Sequence, residues 1–308
     1  MNAAVRAVTR GALARGWEAF AVRNGYAGLL AGSIDPLAAR DVGGIVQQGG
    51  TVLGSARCPE FIEPAGRKKA VLNLEKIGIE ALVVVGGNGS QTGSASLARE
   101  GYPVIGVPST IDNDLYGTDV SIGADTAINV TLEAIDRLRT TASSHQRAFV
   151  VETMGRDCGY IALMAGIAGG AEVIAIPERE VEAAEVAERL RAAYRRGKTH
   201  ALVVVAEGAK HGVQALLKHY GEQRDTIGFE LRLTRLGHVV RGGVPSAADR
   251  VLATRLGAAA VDSLAAGRHG VLLGMLRGEI AATSLSEIAG RTRAADTALV
   301  ELARMLAM

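Results

Sequence analysis

The sequence predicts an α/β fold, and three features of its 308 residues support this prediction. Short runs of β-branched residues recur along the chain and stop at glycine or at polar residues. Between these runs lie segments with an apolar residue at every third or fourth position, as in amphipathic helices. Strands that alternate with helices are typical of the α/β class. The length is that of about two domains.

Four apolar runs predict strands, at residues 81–85, 104–107, 148–151 and 201–205. Continuous runs suit strands of a parallel sheet, because helices cover both faces of such a sheet. Glycine-rich or charged segments follow the runs directly. Ligands of open α/β sheets bind at the carboxyl ends of the strands, so we expect these segments to form the binding site.

Three helices are predicted from apolar stripes. The first stripe consists of Ile128, Leu132, Ile135 and Leu138, and the second of Val186, Leu190 and Tyr194, with Gly197 as its stop. The third helix starts after Pro245 and Ser246. Residues 221–226 are polar enough to predict a surface loop.

Composition excludes several classes of function. Formal net charge is +2, from 34 basic and 32 acidic residues, so no basic excess predicts binding to nucleic acid or to a membrane surface. Cys58 and Cys158 lack metal-ligand spacing and are expected to be free thiols of a reducing cytosol. No apolar run reaches about 18 residues and no signal peptide opens the chain, so we expect a soluble cytoplasmic protein.

Two loops carry candidate chemistry. Residues 86–90, Gly-Gly-Asn-Gly-Ser, follow a strand and precede a helix, as in a phosphate site, although a tight turn without a ligand fits nearly as well. In the loop that contains Thr110, Asp112 and Asp114, one carboxylate suits a proton acceptor and the other a metal ligand or an orienting group. An Asx-rich turn that satisfies its own backbone fits this loop equally well.

The order and spacing of ten segments resemble the phosphofructokinase family over essentially the whole chain. The segments are residues 1–6, 25–30, 48–61, 86–90, 110–114, 144–147, 154–156, 169–172, 206–208 and 236–245. The resemblance implies two doubly wound α/β domains with the active site in the cleft between them, and a homotetramer. It also implies Mg²⁺-assisted, ATP-dependent phosphorylation of fructose 6-phosphate in glycolysis. The nucleotide-binding domain would contain residues 1–123 and about 240–290, and the sugar-phosphate domain residues 124–239 and about 291–308.

The resemblance also implies roles for individual residues. Asp112 is implied as the catalytic base, with Thr110 and Arg156 beside the transferred phosphoryl group. The remaining implied substrate contacts are Met154, Gly155 and Glu207 to the sugar, His238 and Arg241 to the 6-phosphate, and Arg147 and Arg232 to the 6-phosphate bound in a neighbouring subunit. Guanidinium groups suit a phosphate dianion because they bind it with two parallel hydrogen bonds.

On the nucleotide side, the implied ATP contacts are Arg57, Cys58, Gly87, Asn88, Gly89 and Ser90. Gly89 and Ser109 favour ATP over pyrophosphate, because pyrophosphate-using relatives carry an acidic residue and a lysine at these places. Asn88 stands where the family has an aspartate that helps to hold Mg²⁺. It keeps an oxygen but loses the charge, so a weakened metal site with Asp114 as a second partner is expected.

A regulatory phosphate site is implied as well. Arg6 and Arg10 lie four residues apart and therefore on one face of the first helix. With Arg139, Gly170, Glu172, Arg196, Lys198 and His200, they match the family's effector site at a subunit interface. That site binds ADP or phosphoenolpyruvate in bacterial members. Taken singly, each of these residues fits a solvated charged surface.

Two departures from the family pattern keep other functions open. Besides Asn88, the sequence opens at Met1 where the family ordinarily has an earlier strand and a Gly-Gly-Asp-x-Pro-Gly loop. A start assigned too late would account for this, and so would a shortened protein with weakened catalysis. The alternatives are a pyrophosphate-dependent phosphotransferase and a non-catalytic or weakly active regulatory paralogue.

Overall fold

The structure, a computed structural model, describes residues 1–142 and 147–306. The chain divides into two units. Unit 1 consists of Met1–Thr110, Leu115–Gly123 and Val244–Thr292. Unit 2 consists of Ile111–Asp114, Ala124–Gly243 and Arg293–Met308. Residues 144–146, which belong to a segment matched in the sequence, lie outside the described residues.

Unit 1 contains a four-stranded sheet of order β10-β9-β4-β3 and a two-stranded sheet of β1 and β2. The strands are β1 (Phe20–Val22), β2 (Ile34–Pro36), β3 (Leu82–Gly86), β4 (Val104–Pro108), β9 (Val271–Leu276) and β10 (Glu279–Ser284). Strands β3, β4 and β9 are parallel, and β10 is antiparallel to β9. The helices are α1 (Asn2–Ala14), α2 (Gly25–Ala31), α3 (Pro64–Glu75), α4 (Asn88–Arg99), α9 (Ala247–Ala265) and α10 (Leu285–Ile288), with a 3-10 helix at Pro59–Ile62.

Helices cover both faces of the larger sheet. Val83 and Val85 belong to the cluster that contains residues of α1 and α9. Leu82 and Val84 belong to the cluster that contains residues of α2 and α3. All five residues of β4 are buried, as its continuous apolar run requires.

Unit 2 contains a parallel sheet of order β6-β7-β5-β8. Its strands are β5 (Arg147–Thr153), β6 (Val173–Ala175), β7 (Ala201–Ala206) and β8 (Glu230–Arg235). Its helices are α5 (Ala124–Ala142), α6 (Tyr160–Ala168), α7 (Ala183–Arg195), α8 (Gly212–Ile227) and α11 (Thr297–Leu306), with a 3-10 helix at Gly237–Arg241. Both units therefore confirm the α/β class and the parallel sheets.

The predicted helix starts and stops are largely confirmed. Helix α9 begins after Ser246, whose hydroxyl accepts a hydrogen bond from the Asp249 amide. Helix α7 ends at Arg195, and Gly197 follows with φ +81°. The prediction of a loop at residues 221–226 is wrong, because α8 continues to Ile227. Buried Val213 and Leu216 anchor this helix, and its stop is Gly228, with φ +86°.

Two further sequence expectations concern thiols and membranes. Cys58 and Cys158 are free thiols in the structure, and burial raises the pKa of Cys158 to about 12. Across residues 1–142 and 147–306, none of the helices combines the length and the apolar character that crossing a membrane requires.

Candidate active site

In unit 2, three loops leave the carboxyl ends of neighbouring parallel strands. Strand β5 lies between β7 and β8, with Thr153 opposite Ala206 and Glu152 opposite Arg235. Residues 154–156, 207–208 and 237–241 follow directly after these strand ends. The sheet register therefore brings together three segments that lie far apart in the sequence.

Close backbone packing fixes the first two loops against each other. The Gly208 amide donates a hydrogen bond of 3.0 Å to the Gly155 carbonyl oxygen, and the Glu207 amide donates one of 2.9 Å to that of Thr153. A Cβ at Gly208 would lie 1.8 Å from the Arg156 carbonyl oxygen. Gly155 has φ +131°, which side-chain-bearing residues rarely adopt. These glycines hold Arg156 and Glu207 side by side.

The third loop is the 3-10 helix that carries His238 and Arg241. Both side chains are exposed, whereas Val240 between them is 1% exposed and packs in a cluster with Met154 and Ile161. Arg241 Nε lies 3.3 Å from Met154 Sδ. Buried Val240 thus anchors this 3-10 helix, and the imidazole of His238 and the guanidinium of Arg241 lie at its exposed surface.

Residues 111–114 complete this group of loops. Ile111 packs against the apolar cluster of Met154 and Val240. The Arg293 amide donates a hydrogen bond of 2.7 Å to the Asp114 carbonyl oxygen. Asn113 is 4% exposed, in the left-handed region with φ +51°. This buried asparagine separates Asp112 from Asp114 in the loop.

The environment of Asp112 changes its acidity. The pKa of Asp112 is raised from 3.8 to about 6, first by burial and then by the neighbouring Asp114 carboxylate. Arg241 lowers the pKa, whereas Glu207 and Asp157 raise it, so these groups share one electrostatic neighbourhood. A carboxyl that titrates near neutral pH is suited to accept a proton from a substrate hydroxyl.

In unit 1, the loop after β3 opens onto the amino terminus of α4. Gly87 precedes the helix, whose first residue is Asn88. A Cβ at Gly86 would lie 2.4 Å from Ser90 Oγ, so the turn requires glycine there. Gly89 is exposed, and a Cβ there would meet nothing within 4 Å. Unpaired amides of a helix N-terminus next to open space can receive an anion such as a phosphate.

Thr110 lies beside this loop. A Cβ at Gly87 would lie 3.4 Å from Thr110 Cβ, and the Ser109 amide donates a hydrogen bond of 3.0 Å to the Gly86 carbonyl oxygen. Arg57 is exposed, and half-buried Cys58 precedes the 3-10 helix at Pro59–Ile62. The predicted nucleotide residues of unit 1 thus fall on the loop before Pro59 and on the turn and first residues that begin α4.

Sequence reasoning assigned no role to Tyr26, which supports the glycine-rich loop. Its hydroxyl donates a hydrogen bond of 2.7 Å to the Ser90 carbonyl oxygen, and its ring stacks on Phe61 with 3.8 Å between centroids. A Cβ at Gly93 would lie 2.5 Å from the Tyr26 ring. The available signal was that Tyr26 and Phe61 both fall within matched segments.

Arg147 and Arg232 do not join the loops at the carboxyl ends. Arg147 opens β5, six residues before Thr153, which places it about 20 Å away at the other end of the strand. Both arginines pair with Glu230, at 3.1 Å from Arg147 Nε and 2.5 Å from Arg232 Nη2. These contacts lower the pKa of Glu230, with the Arg147 hydrogen bond as the largest cause.

Part of the predicted effector set comes together in unit 2. Lys198 Nζ lies 3.0 Å from Glu172 Oε1, and Arg139 Nη1 donates a hydrogen bond of 2.7 Å to the Gly169 carbonyl oxygen. A Cβ at Gly170 would lie 3.5 Å from Arg139 Nη1. Arg196 and His200 lie on the turn between α7 and β7 that carries Lys198. Arg6 and Arg10 lie on α1, in unit 1.

Of the predicted metal ligands, Asn88 is half-buried at the start of α4, and Asp114 lies in the loop at 111–114. Within the described ranges, the ligand atoms of Glu180, Glu182 and His211 converge to within 4.8 Å. Lys210 Nζ lies 2.6 Å from Glu180 Oε1, so these exposed groups form an ion-pair network. We do not assign a metal to them.

Comparison with known proteins places these features in a family context. A family model described as Phosphofructokinase matches residues 1–264. ATP-dependent 6-phosphofructokinase 1 of Thermus thermophilus is 52% identical over 309 residues, which cover 100% of this chain and 95% of that protein. The Bacillus subtilis ATP-dependent 6-phosphofructokinase is 47% identical with the same coverage.

Solved structures agree with the sequence comparison. Saccharomyces cerevisiae phosphofructokinase matches with a TM-score of 0.86 and 38% identity, over 99% of this chain and 44% of that chain. The pyrophosphate-dependent phosphofructokinase from Marinobacter aquaeolei matches with a TM-score of 0.84 and 25% identity, over 96% of this chain and 82% of that chain.

Proposed function

This chain belongs to the phosphofructokinase family, and we propose from that membership that it transfers the γ-phosphoryl group of ATP to fructose 6-phosphate. The product is fructose 1,6-bisphosphate, and the reaction is a step of glycolysis. Relatives named ATP-dependent 6-phosphofructokinase share 46% to 52% of its residues over the full chain. We propose that it acts in the cytoplasm.

The observation that carries the chemistry is the raised pKa of Asp112 within the group of loops in unit 2. In our proposal, Asp112 accepts the proton of the sugar 1-hydroxyl as that oxygen attacks the γ-phosphorus. The positive charge of Arg156 offsets the negative charge that develops on the transferred group, and Thr110 flanks that group. Glu207, Met154 and Gly155 orient the sugar.

Recognition of the 6-phosphate falls to cationic groups. We propose His238 and Arg241 as ligands of this phosphate within one chain, since both side chains are exposed and Arg241 lies beside Met154. Arg147 and Arg232 would bind it from a neighbouring subunit, which agrees with the position of Arg147 at the amino end of β5. The active site then requires oligomerisation, and we propose a homotetramer.

Discrimination between ATP and pyrophosphate is proposed to depend on Gly89. The substitution Gly89→Asp is expected to raise the KM for ATP by about tenfold to a hundredfold, because a carboxylate at the helix N-terminus repels the α-phosphate. Gly89→Ala is the matched control, since a Cβ there meets nothing within 4 Å and the fold tolerates it. Initial rates over a range of ATP concentrations test this. Equal KM values for the two variants would remove Gly89 from the donor site.

For Mg²⁺, we propose Asn88 and Asp114 as ligands, because their side-chain oxygens are the kind of donor that a hard cation prefers. The ion would neutralise charge on the phosphates of ATP. Asn88→Asp is expected to lower the Mg²⁺ concentration for half-maximal activity by about tenfold, because it adds a negative charge to the weakened site. Thr92→Asp, one turn further along α4, controls for charge alone. Identical Mg²⁺ activation curves for wild type and Asn88→Asp would contradict this assignment.

An effector role is proposed for the cationic set around Glu172 and Lys198, with ADP or phosphoenolpyruvate as ligand. Arg139, Arg196 and His200 join these residues in unit 2, and Arg6 and Arg10 contribute from α1. Several cations and a glycine in the left-handed region suit a phosphate-bearing ligand. Isothermal titration of each compound against the whole protein tests this role.

The catalytic proposal is tested by a panel of donors and acceptors. The purified chain is incubated with ATP or pyrophosphate and with several sugar phosphates, and bisphosphate formation is followed. We expect turnover with ATP and fructose 6-phosphate. Faster turnover with pyrophosphate would favour the phosphotransferase alternative, whereas binding of fructose 6-phosphate without turnover would favour a regulatory paralogue.

A further inference from the structure

The turn after β6 carries a half-buried glutamate, Glu178. Ile176 and Arg179 on either side of it form an isolated antiparallel bridge, and the Arg179 amide donates a hydrogen bond of 3.2 Å to the Ile176 carbonyl oxygen. Arg179 also pairs with Glu301 of α11. The bridge and the ion pair therefore fix the backbone from which the Glu178 side chain extends.

The Glu178 carboxylate accepts hydrogen bonds from two segments that lie far apart in the sequence. The Gly159 amide lies 3.0 Å from each carboxylate oxygen, and the Ala295 amide donates a hydrogen bond of 2.8 Å to Oε1. Gly159 and Ala295 are both buried. Buried amides need an acceptor, and a carboxylate accepts more strongly than a neutral oxygen. Glu178 thus joins the two segments through their backbones.

The first of these segments continues into the loop that carries Arg156. Gly159 is the residue before α6, and Arg156 lies three residues earlier. A Cβ at Gly159 would lie 2.3 Å from Ile176 Cβ, and a Cβ at Gly155 would lie 2.6 Å from the Cys158 carbonyl oxygen. The segment is therefore packed tightly against the turn after β6 and against itself. A displacement of Gly159 would displace the loop of Arg156 as well.

The second segment contacts the loop that carries the two aspartates. Two residues before Ala295, the Arg293 amide donates a hydrogen bond of 2.7 Å to the Asp114 carbonyl oxygen. From the other side, the side chains of Tyr160, the first residue of α6, and Asn113 are hydrogen-bonded to each other. All these residues belong to unit 2. The two segments that Glu178 joins are thus the ones that hold the aspartate loop.

We propose that Glu178 is a positioning residue for phosphoryl transfer, because its carboxylate holds Arg156 and the loop of Asp112 and Asp114 in one arrangement. This role rests on the proposed function. Glu178 acts through the backbones of the two segments, so its role requires no contact with a substrate. A misplacement of reacting groups by about 1 Å can lower a rate by about a hundredfold. Loss of Glu178 should therefore reduce kcat more than substrate binding.

The test compares the wild type with three variants. Glu178→Ala removes both acceptor oxygens, whereas Glu178→Gln keeps one oxygen, which can accept from both amides as Oε1 does. Leu216→Ala is the matched control, because it creates a cavity in the same unit but in a different apolar cluster from that of Ala295. In each form, kcat, the KM for both substrates and hydrogen–deuterium exchange at Gly159 and Ala295 are measured below the unfolding temperature.

We expect Glu178→Ala to lower kcat by about tenfold to a hundredfold and to change either KM by less than about threefold. Exchange at Gly159 and Ala295 should become faster by about tenfold or more. Glu178→Gln should recover most of the wild-type kcat. Leu216→Ala should lower the unfolding temperature but keep kcat near the wild-type value, and an equal loss of kcat in Leu216→Ala and Glu178→Ala would overturn the proposal.

Failure of this inference can be told apart from failure of the proposed function. Absence of turnover in the wild type would refute the proposed function, whereas wild-type turnover with an unchanged kcat in Glu178→Ala would overturn the role of Glu178 alone. If Glu178→Ala does not accumulate in folded form, Glu178→Asp decides, because it keeps the charge but shortens the side chain by one methylene group. A lower kcat at unchanged KM in Glu178→Asp supports the proposal, and a wild-type kcat overturns it.

Discussion

Replacing Asp112 with asparagine is expected to lower kcat by about a thousandfold, within the usual range for loss of a general base. Asparagine has nearly the same shape as aspartate but cannot take up the proton of the sugar hydroxyl. Binding of fructose 6-phosphate should persist, because His238, Arg241 and Glu207 remain. Single-turnover rates and substrate titration separate the two effects. A variant that retains more than about a tenth of the wild-type kcat would exclude Asp112 as the base.

The pH dependence of kcat/KM is expected to follow from ionisation of the Asp112 carboxyl. In our proposal Asp112 acts in its ionised form, and because its pKa is raised to about 6, kcat/KM should fall about tenfold per pH unit below that value. A sugar phosphate also titrates near pH 6. A substitution at the exposed Asp157 distinguishes titration of Asp112 from titration of the substrate, because the charge of Asp157 raises the pKa of Asp112. Asp157→Asn should move the acid limb of the kcat/KM profile to lower pH with little change in the plateau value. If the limb does not move, the titrating group is the substrate phosphate and not Asp112.

Asp112 also reduces the stability of the folded chain. Its pKa is raised from 3.8 in the unfolded reference to about 6, so the folded state favours the protonated form. The stabilisation from that proton is fully present below pH 3.8 and is lost as pH rises through 6. At neutral pH, Asp112→Asn should therefore raise the unfolding temperature by several degrees. The difference in unfolding temperature between Asp112→Asn and the wild type should shrink as pH falls below 6. Thermal unfolding measured at several pH values tests this.

Mixed oligomers of Asp112→Asn and Arg147→Gln are expected to regain activity that neither variant has alone. Arg147 lies about 20 Å along β5 from the loops that carry Arg156 and Glu207, and we propose that it serves the site of another copy. An intact site then needs Asp112 from one chain and Arg147 from its neighbour. Random mixing should supply this pair in about a quarter of the sites. Activity after co-expression or joint refolding is the measurement.

The matched control mixes Asp112→Asn with Arg156→Gln. Both residues belong to the group of loops proposed to act within one chain, so no arrangement of neighbours can restore an intact site. This mixture should remain inactive. Recovery in both mixtures would point to subunit exchange with residual activity, whereas recovery in neither would mean that Arg147 has no role in a shared site.

The sequence predicted the sheet cores well because buried parallel strands have a distinctive composition. The runs at 104–107 and 201–205 are without polar side chains and rich in β-branched residues, and both lie in strands whose residues are all buried. Residues 221–226 misled the prediction because polarity along a short segment does not separate a loop from a helix. Buried Val213 and Leu216 anchor α8 in the core, and the helix continues through that polar stretch.

Only part of the candidate active site could be predicted from the sequence. Strand register, which no local pattern encodes, places residues 154–156 beside 207–208 and sets Arg147 at the opposite end of the sheet. The raised pKa of Asp112 comes from burial and from Asp114, Glu207 and Asp157, so it depends on tertiary structure. Gly155 and Gly208 both fall within matched segments, and the structure leaves no room for a side chain at either position.

The central claim is tested most directly by phosphorus NMR of the wild-type chain with ATP, Mg²⁺ and fructose 6-phosphate. We expect the resonances of the 1-phosphate of fructose 1,6-bisphosphate and of ADP to grow together in equal amounts. In the same experiment with Asp112→Asn, neither the 1-phosphate resonance nor the ADP resonance should grow over the same time. Hydrolysis of ATP without a sugar bisphosphate, or a phosphoryl group on another carbon, would contradict the account.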